Sequence, residues 1–426
     1  MSLIGIPVMI LICYALSSNR KAINWRLVAI GIALQGLFAA LILRTGPGKA
    51  FFEMMNNVIV TILDFTREGA RFVFGNLADA GAEKGIGFCF ATQVLPTIIF
   101  FSSLMTILYY LGIMQRIISV IARVMQKTMK TSGAESLSAA ANIFVGQTEA
   151  PLVIKPYVAR MTISELNCVM VGGMATIAGG VMAAYVGMMQ KNFPDIAGHL
   201  MAASVMSAPA ALVFAKIMVP ETEVAETAGS CELKVEQIDQ NVIDAAARGA
   251  SEGMGLAINV AAMLIAFIAL IALGNSAWQL VCKGITGASG LDLSAINSLE
   301  KLMGWVNAPI AWLMGVAKQD LLVAGQLLGE KTVLNEFVAY AHLGDITNGT
   351  FIRDGVPVVL QRRTWIILTY ACCGFANFGS IGIQLGGIGG LAPNRRGDLA
   401  KLGIKALVAA TFASYQTANI AGLLVE

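Results

Sequence analysis

The sequence predicts an all-α polytopic membrane protein, and three observations lead to this fold class. Apolar residues make up 57% of the chain, charged residues only 13%, and the mean hydropathy is +0.72, whereas about a quarter of the residues of a soluble domain are charged. Long windows without charge recur along the chain, and two further apolar segments are interrupted by polar residues. We therefore expect eight transmembrane helices, two re-entrant helical hairpins in inverted repeats, and interfacial helices.

Each transmembrane helix is predicted from a charge-free window, because crossing a bilayer takes about 20 apolar residues, with a range near 17–25. The first window is short, and polar residues after it extend it to the membrane interface. The longest windows can tilt or carry an interruption. The eight windows are 1–16, 27–43, 85–115, 166–190, 196–215, 253–282, 364–394 and 406–425.

The connection after the first window predicts the topology. It contains Arg20, Lys21 and Arg26, and the positive-inside rule places such a basic connection in the cytoplasm. An even number of crossings then leaves both termini on the outer side. This topology also puts three arginines outside, against the rule, namely Arg353, Arg362 and Arg363.

Polar stretches between the windows divide the chain into units. The amphipathic segments 49–72 and 241–252 are predicted to lie along the membrane interface. The acidic stretch 220–240 predicts a cytoplasmic loop between two halves. The resulting units are 1–130, a first repeat at 131–219, a connecting unit at 220–300 that includes the sixth window, and a second repeat at 301–426.

The polar run Gln147, Thr148 and Glu149 stands inside apolar sequence. An acidic side chain at the centre of a membrane helix costs about 2.5–3.5 kcal/mol. Three consecutive residues cannot share one face of a helix, so the backbone must leave helical geometry near Gly146 and Pro151 if they act together. Such a break is tolerated at membrane depth only where protein buries it or it lines a cavity. The run predicts a binding site, with a cytoplasmic loop near the interface as the alternative.

Two apolar segments are too short or too interrupted to cross. They are 133–155, around Glu149, and 302–343, and each precedes a glycine-rich window. An odd number of crossings separates them, which predicts repeats of inverted orientation. Paired interrupted segments at matching places of two halves indicate the binding site of a transporter.

Polar residues near the first segment fit a cation. The side-chain oxygens of Asn142 and Thr176, with carbonyl groups freed by an unwound helix, suit a small hard cation such as sodium. The alternative is ordinary helix packing by small polar residues, which the spacing alone favours.

The second half offers a matching set. Glu336 follows Asn335 in the second segment, as a second buried carboxylate or an exposed loop acid. Asn377 and Ser380 lie three residues apart, on one helical face. Phe375 could stack on a planar ligand, although packing is the commoner role for such a side chain.

Several functions are disfavoured. The chain has no HExxH, no GxSxG and no Walker loop, which argues against an intramembrane hydrolase or an ATP-driven pump, so we expect no enzyme and no cofactor. The net charge of +3 includes no basic run long enough for nucleic acid. The seven cysteines are scattered without metal-ligand spacing and predict apolar packing rather than disulfides.

These motifs resemble the concentrative nucleoside transporter family over essentially the whole chain. The resemblance implies eight spans, two oppositely oriented re-entrant hairpins and a homotrimer in the lipid bilayer, with a scaffold of the first, second, third and sixth spans and a mobile transport domain. The length is similar to that of the bacterial members, which implies a bacterial inner membrane, and the topology predicted from the positive-inside rule then makes both termini periplasmic. The matching motifs are Gly146-Gln-Thr-Glu-Ala-Pro151, Leu334-Asn-Glu-Phe337, Cys373-Gly-Phe-Ala-Asn377 followed by Ser380, and Thr417-Ala-Asn-Ile-Ala-Gly-Leu423.

The resemblance also implies roles for individual residues. Thr176 and Gly379 stand where some relatives have serine, so a hydroxyl is kept at the first position and lost at the second. The nucleobase would meet Gln147, Thr148, Glu149 and Val181. The ribose would meet Glu336, Asn377 and Ser380, with Phe375 alongside. Sodium would meet Asn142, Val145, Thr176 and Ile177.

The expected function is therefore a symporter in which inward sodium flow drives uptake of uridine and similar nucleosides, by an elevator-type movement of the transport domain. One alternative keeps the fold and couples to protons, with Glu149 or Glu336 titrating. A channel gated by nucleosides is a further alternative, which uptake against a gradient would exclude.

Overall fold

A computed structural model shows a largely helical chain and describes residues 1–78, 89–228, 239–290, 292–353 and 355–425. The start of the window 85–115 and the middle of the stretch 220–240 lie outside these residues. The helices of the first half are α1 (Ser2–Leu16), α2 (Trp25–Arg44), α3 (Gly46–Phe74), α4 (Phe90–Gln93), α5 (Leu95–Tyr110), α6 (Ile113–Met129), α7 (Gly133–Ala141), α8 (Lys155–Val158), α9 (Ile163–Ala175), α10 (Gly179–Met189) and α11 (Ile196–Met218).

The second half continues in the same manner. A two-residue antiparallel pairing of β1 (Ile352–Arg353) with β2 (Val356–Pro357) connects two of its helices. The helices are α12 (Val242–Ser289), α13 (Leu299–Leu313), α14 (Leu321–Val333), α15 (Glu336–Asn348), α16 (Arg362–Cys372), α17 (Phe378–Leu391) and α18 (Arg396–Leu424).

The described parts of the eight predicted windows lie mainly on helices. Among the described residues, five helical stretches are long and apolar enough to cross a membrane, and α1 and α17 are shorter apolar helices. The five are Trp25–Arg44, Phe90–Tyr110, Ile163–Met189, Ile196–Met218 and Val242–Ser289. The fold is thus that of a helical membrane protein, while the number of eight crossings stays a prediction.

Two of the predicted spans are each broken into two helices. The fourth window forms α9 and α10, which are separated at residues 176–178, and the seventh forms α16 and α17, which are separated at residues 373–377. Thr176 ends α9 with extended backbone angles, and Asn377 begins α17 by accepting a hydrogen bond from the Ser380 backbone N–H at 2.9 Å. Each break therefore ends one helix with free carbonyl groups and begins another with free N–H groups.

The segment 241–252 differs from the sequence prediction of a separate interfacial helix. It is the beginning of α12, which runs without interruption for 48 residues. Arg248 and Glu252 pair at 2.7 Å one turn apart, and Gly253 lets α12 approach Ile99 of α5 so closely that a Cβ would lie 2.8 Å from the Ile99 Cα. At about 1.5 Å per residue, α12 exceeds the roughly 30 Å hydrocarbon core of a bilayer.

The segment 302–343 also differs from a simple hairpin. It contains α14 and α15, which pack together and are separated by Leu334 and Asn335, but most of α13 lies within it as well. Helix α13 packs along α14, and at Gly304 a Cβ would lie 2.6 Å from the Leu322 carbonyl oxygen. Small residues permit this backbone approach, as is common between membrane helices.

Helices α11 and α18 form the centre of the packing. Both are largely buried; α18 contacts α9, α11, α16 and α1, and α11 contacts α2 and α9. Helices α5 and α12 form a separate pair, and α12 leaves many apolar side chains exposed. Helices α9, α16 and α17, which flank the two helix breaks, thus all pack against α18.

A buried lysine ties three helix ends together. The Lys216 ammonium group near the end of α11 pairs with the Glu135 carboxylate in the first turn of α7 and with Glu221 Oε2 at 3.1 Å. It also donates a hydrogen bond to Ser164 Oγ, in the first turn of α9, at 2.9 Å. Glu135 is only 2% exposed, so without the lysine its charge would be buried and unpaired.

Lys216→Met is therefore expected to destabilise the protein by about 3–5 kcal/mol, the usual cost of removing one partner of a buried pair. The measurement is the thermal unfolding temperature of the purified protein in detergent. Lys405→Met, at an exposed position of α18, is the matched control and should leave that temperature unchanged. Equal unfolding temperatures for both variants would contradict the expected contribution of Lys216 to stability.

Candidate functional site

The two helix breaks cross each other at the centre of the site. The Phe375 N–H donates a hydrogen bond to the Thr176 carbonyl oxygen at 3.3 Å. Gly374 has a φ of +117°, and a Cβ there would lie 2.7 Å from the Ala175 carbonyl oxygen. Only glycine fits this backbone conformation and this approach. The crossing thus joins the break before α10 to the break before α17.

The segment after α7 forms a second part of the site. Helix α7 ends at Ala141, and residues 142–149 are not helical, as the polar run predicts. The Gly146 N–H donates to Glu149 Oε2 at 3.2 Å, and the Glu149 N–H donates to the Gly146 carbonyl oxygen at 3.1 Å. This turn exposes Thr148 and Glu149 and buries Gln147.

Gln147 joins the two halves of the chain. Its Nε2 donates to Ser380 Oγ at 3.0 Å, and its Oε1 accepts from Gln384 Nε2 at 3.1 Å. A Cβ at Gly173 would lie 2.8 Å from both the Gln147 Cβ and the Gln384 Nε2, so a glycine is needed for the two amides to meet against α9. Residues that are 233 and 237 positions apart thus share one hydrogen-bonded group.

Glu336 and Asn377 form the other part of this group. Asn377 Nδ2 donates to Glu336 Oε2 at 2.8 Å, and Asn377 Oδ1 accepts from the Ser380 N–H. Glu336 is the first residue of α15, 3% exposed, and no ion pair with it occurs among the described residues. The positive end of the helix dipole favours its negative charge there. A buried carboxylate held by one amide can still accept hydrogen bonds from a ligand.

The remaining nucleoside candidates differ in how exposed their side chains are. Thr148 lies against α17, since a Cβ at Gly387 would lie 2.9 Å from its Cγ2. Val181 is buried in the first turn of α10, and Phe375 is half-buried in the break before α17. These two apolar side chains offer contact surface and no hydrogen bond.

The sodium candidates lie between the end of α7 and the break after α9. Asn142 is fully buried; its Nδ2 donates to the Ser138 carbonyl oxygen at 3.0 Å, and its Oδ1 has no hydrogen-bond partner among the described residues. Its Nδ2 also lies 3.3 Å from where a Cβ of Gly172 would be. A buried oxygen without a partner is costly, and a hard cation would satisfy it.

The other three sodium candidates lie in the same two segments, the one after α7 and the break after α9. Thr176 Oγ1 donates to the Gly172 carbonyl oxygen at 2.9 Å and keeps its lone pairs for a cation. Val145 and Ile177 are buried, and the Gly179 N–H bonds the Phe144 carbonyl oxygen at 3.0 Å, which links the two segments. These candidate donors are neutral oxygens, which fit a hard cation such as sodium.

Two polar residues near the site were missed by the sequence reasoning. Gln384 lies one helical turn after Ser380, and this spacing on one face could have indicated it. Lys331 in α14 donates to the Ala371 carbonyl oxygen at 3.1 Å and lies 5.7 Å above the ring of Tyr415. It thus caps the broken end of α16, where free carbonyl groups favour a cation.

Models of one protein family match this chain in consecutive segments. The N-terminus of Na+ dependent nucleoside transporters matches residues 4–77, the nucleoside recognition gate matches residues 91–192, and the C-terminus of Na+ dependent nucleoside transporters matches residues 199–422.

Relatives and solved structures agree with this match. A protein of Haemophilus influenzae described as an uncharacterized transporter is 47% identical over 426 residues, which are 100% of this chain and 97% of that protein. Sodium/nucleoside cotransporter 1 of Rattus norvegicus is 41% identical over 99% of this chain, which spans 63% of that longer protein. The structure of CNTnw in an inward-facing substrate-bound state has a TM-score of 0.88 at 44% identity and covers 99% of this chain and 97% of its own. The chain belongs to the family of Na+-dependent nucleoside transporters.

Proposed function

We propose that this protein is a secondary active symporter in which inward sodium flow drives uptake of uridine-like nucleosides. The observation that carries the proposal is the buried hydrogen-bonded group of Gln147, Ser380, Asn377 and Glu336 at the crossing of the two helix breaks. It joins both halves of the chain and offers donors and an acidic acceptor within an otherwise apolar protein. A nucleoside has sugar hydroxyl groups and base edges that need such partners.

The proposed roles divide between the two halves. The base would bind Gln147, Thr148 and Glu149 at the exposed turn, with Val181 against its face. The sugar would bind the second half, at Glu336, Asn377 and Ser380, next to Phe375. Glu149 and Thr148 are exposed in the turn and so remain accessible to a ligand.

Sodium would bind beside the nucleoside, at Asn142 Oδ1, Thr176 and the backbone near Val145 and Ile177. The unpartnered Asn142 oxygen supports this role. The crossing supports the proposed coupling, because the Thr176 carbonyl group accepts a hydrogen bond from the backbone of Phe375, two residues before Asn377. Sodium that orders one segment would stabilise the other, and each ligand would then raise the affinity for the other.

The movement that we propose is an elevator motion of two repeats, 131–219 and 301–426, past a scaffold of the first, second, third and sixth spans. CNTnw, which has a similar structure, is known in an inward-facing substrate-bound state and, as a doubly substituted variant, in an outward-facing state. Gln35 of α2 bonds Thr417 of α18 at 2.8 Å, and this contact would break during the motion. The exposed apolar residues of α12, such as Ile265 and Leu280, would be covered by lipid or by partners in a homotrimer.

A proton-coupled symporter is the second candidate. Neither Glu149 nor Glu336 has an ion-pair partner among the described residues, so either carboxyl group could change its protonation during transport. In both cases the protein would function in a bacterial inner membrane with periplasmic termini.

The test is uptake of radiolabelled uridine into proteoliposomes, with an inward sodium gradient, an inward proton gradient, or neither. Sodium should drive accumulation above the external concentration. Asn142→Ala should raise the sodium concentration for half-maximal uptake by about tenfold, the effect of losing roughly 1.4 kcal/mol of ion affinity, and leave uridine affinity at saturating sodium largely unchanged.

Asn167→Ala is the matched control. Asn167 is also fully buried in the protein, donates to a carbonyl oxygen and has an unpartnered Oδ1 among the described residues, but it bonds α11. Its variant should keep the wild-type sodium dependence. Uptake driven only by the proton gradient would favour the second candidate, and a protein that neither binds nor moves uridine would refute both.

A further inference from the structure

The hydrogen-bond direction within the candidate site can be traced to one backbone carbonyl group. Gln384 Nε2 donates to the Met170 carbonyl oxygen of α9 at 3.0 Å and to Gln147 Oε1 at 3.1 Å. A carbonyl oxygen can only accept, so the amide nitrogen of Gln384, and not its oxygen, must face Met170. The same nitrogen then supplies the second hydrogen to Gln147.

This first orientation determines the next two. Since Gln147 Oε1 accepts from Gln384, the Gln147 amide nitrogen faces Ser380 and donates to its Oγ at 3.0 Å. Ser380 Oγ therefore accepts within the protein, and its own hydrogen bonds no acceptor among the described residues. Ser380 is 1% exposed, and Gln384 is fully buried, with no hydrogen-bond partner for its Oε1 among the described residues.

A second chain of bonds reaches the same serine from the other side. The Ser380 backbone N–H can only donate, and it donates to Asn377 Oδ1 at 2.9 Å. The Asn377 amide nitrogen therefore faces Glu336 and donates to its carboxylate. The two chains leave a hydroxyl donor on Ser380 and an acidic acceptor on Glu336 within one hydrogen-bonded group. A sugar hydroxyl group, which both accepts and donates, is the complement of that pair.

We propose that Gln384 is a positioning residue that sets this polarity, so that Ser380 donates its hydrogen to a sugar hydroxyl of the substrate; the inference rests on the proposed nucleoside function. Without the amide donor of Gln384, the Gln147 amide can turn over and accept the Ser380 hydrogen. The site would keep its shape, yet it would offer the sugar no donor at this position.

Gln384→Met tests the proposal, because methionine is similar in length and shape but donates no hydrogen bond. The measurement is the dissociation constant of uridine, 2′-deoxyuridine and 3′-deoxyuridine at saturating sodium. We expect uridine affinity to fall about tenfold, the effect of one buried hydrogen bond. The affinity for the analogue that lacks the hydroxyl recognised by Ser380 should change less than about twofold, so that the wild-type preference for uridine over that analogue is lost.

Two further variants distinguish polarity from packing. Gln384→Glu, whose ionised side chain only accepts, should lose the same preference although it keeps the size of the side chain. Ser380→Ala should lose it as well, and the double variant Gln384→Met with Ser380→Ala should be no worse than Ser380→Ala alone, because both changes remove one interaction.

Gln416→Met is the matched control, since Gln416 is a fully buried glutamine of α18 without hydrogen-bond partners among the described residues. It should keep the wild-type preference. Equal loss of affinity for all three ligands in Gln384→Met, or an unchanged preference, would overturn the inference while leaving the nucleoside function intact. If the wild-type protein binds none of the three ligands, the proposed function itself fails.

Discussion

Glu336→Gln is expected to lower the affinity for uridine by about tenfold to a hundredfold. The Glu336 carboxylate is buried at the first position of α15 and bonds Asn377 Nδ2 at 2.8 Å, which leaves acceptor capacity for the sugar. Hydrogen bonds to a charged group contribute roughly 1.5–3 kcal/mol. Glutamine can still accept from Asn377, so the protein should fold, but its amide nitrogen would face the ligand as a donor.

The measurement is uridine binding by titration calorimetry at saturating sodium, together with sodium-driven uptake. Glu330→Gln is the matched control, because Glu330 is also buried in the pair of α14 and α15 but bonds Gln326 and His342 instead. That variant should bind uridine as the wild-type protein does. A Glu336→Gln protein with wild-type affinity would exclude this carboxylate from the sugar site.

Composition and glycine positions predicted most of the helical architecture, since the cost of charge in a membrane imposes long apolar windows. The break near Gly146 was also predictable, because adjacent polar residues cannot share a helical face. The continuity of α12 was not predictable. The charged residues near its beginning, among them Arg248 and Glu252, which pair one turn apart, are also typical of a separate interfacial helix. The packing of α13 along α14 depends on glycines that have no distinctive pattern.

The candidate site was predicted in part. The structure brings Gln147 to Ser380 and Glu336 to Asn377, over separations that no local pattern determines. Motif resemblance selected these residues, while the ligand that each binds stays a prediction. Gln384 was not selected, because a single glutamine in an apolar helix can have many roles. Only the hydrogen bond of its side chain to the Met170 carbonyl oxygen, which the sequence does not show, indicates its place in the site.

Gly374→Ala is expected to abolish measurable uptake, at least a hundredfold loss, because it acts on both proposed sites at once. At a φ of +117° a side chain is strained, and the new Cβ would lie 2.7 Å from the Ala175 carbonyl oxygen. Backbone strain of this kind costs about 1–3 kcal/mol, and overpacking costs a similar amount. The break of α16 from α17 would have to move away from α9.

That movement would remove the hydrogen bond from the Phe375 N–H to the Thr176 carbonyl oxygen, which joins a nucleoside candidate directly to a sodium candidate across the two helix breaks. Uridine affinity and sodium affinity should therefore fall together, and sodium should no longer increase uridine binding. Gly382→Ala in α17 is the matched control, because a Cβ there meets no atom within 4 Å and alanine favours a helix. Coupling that survived in Gly374→Ala would mean that the two ligands communicate by a route other than the crossing of the helix breaks.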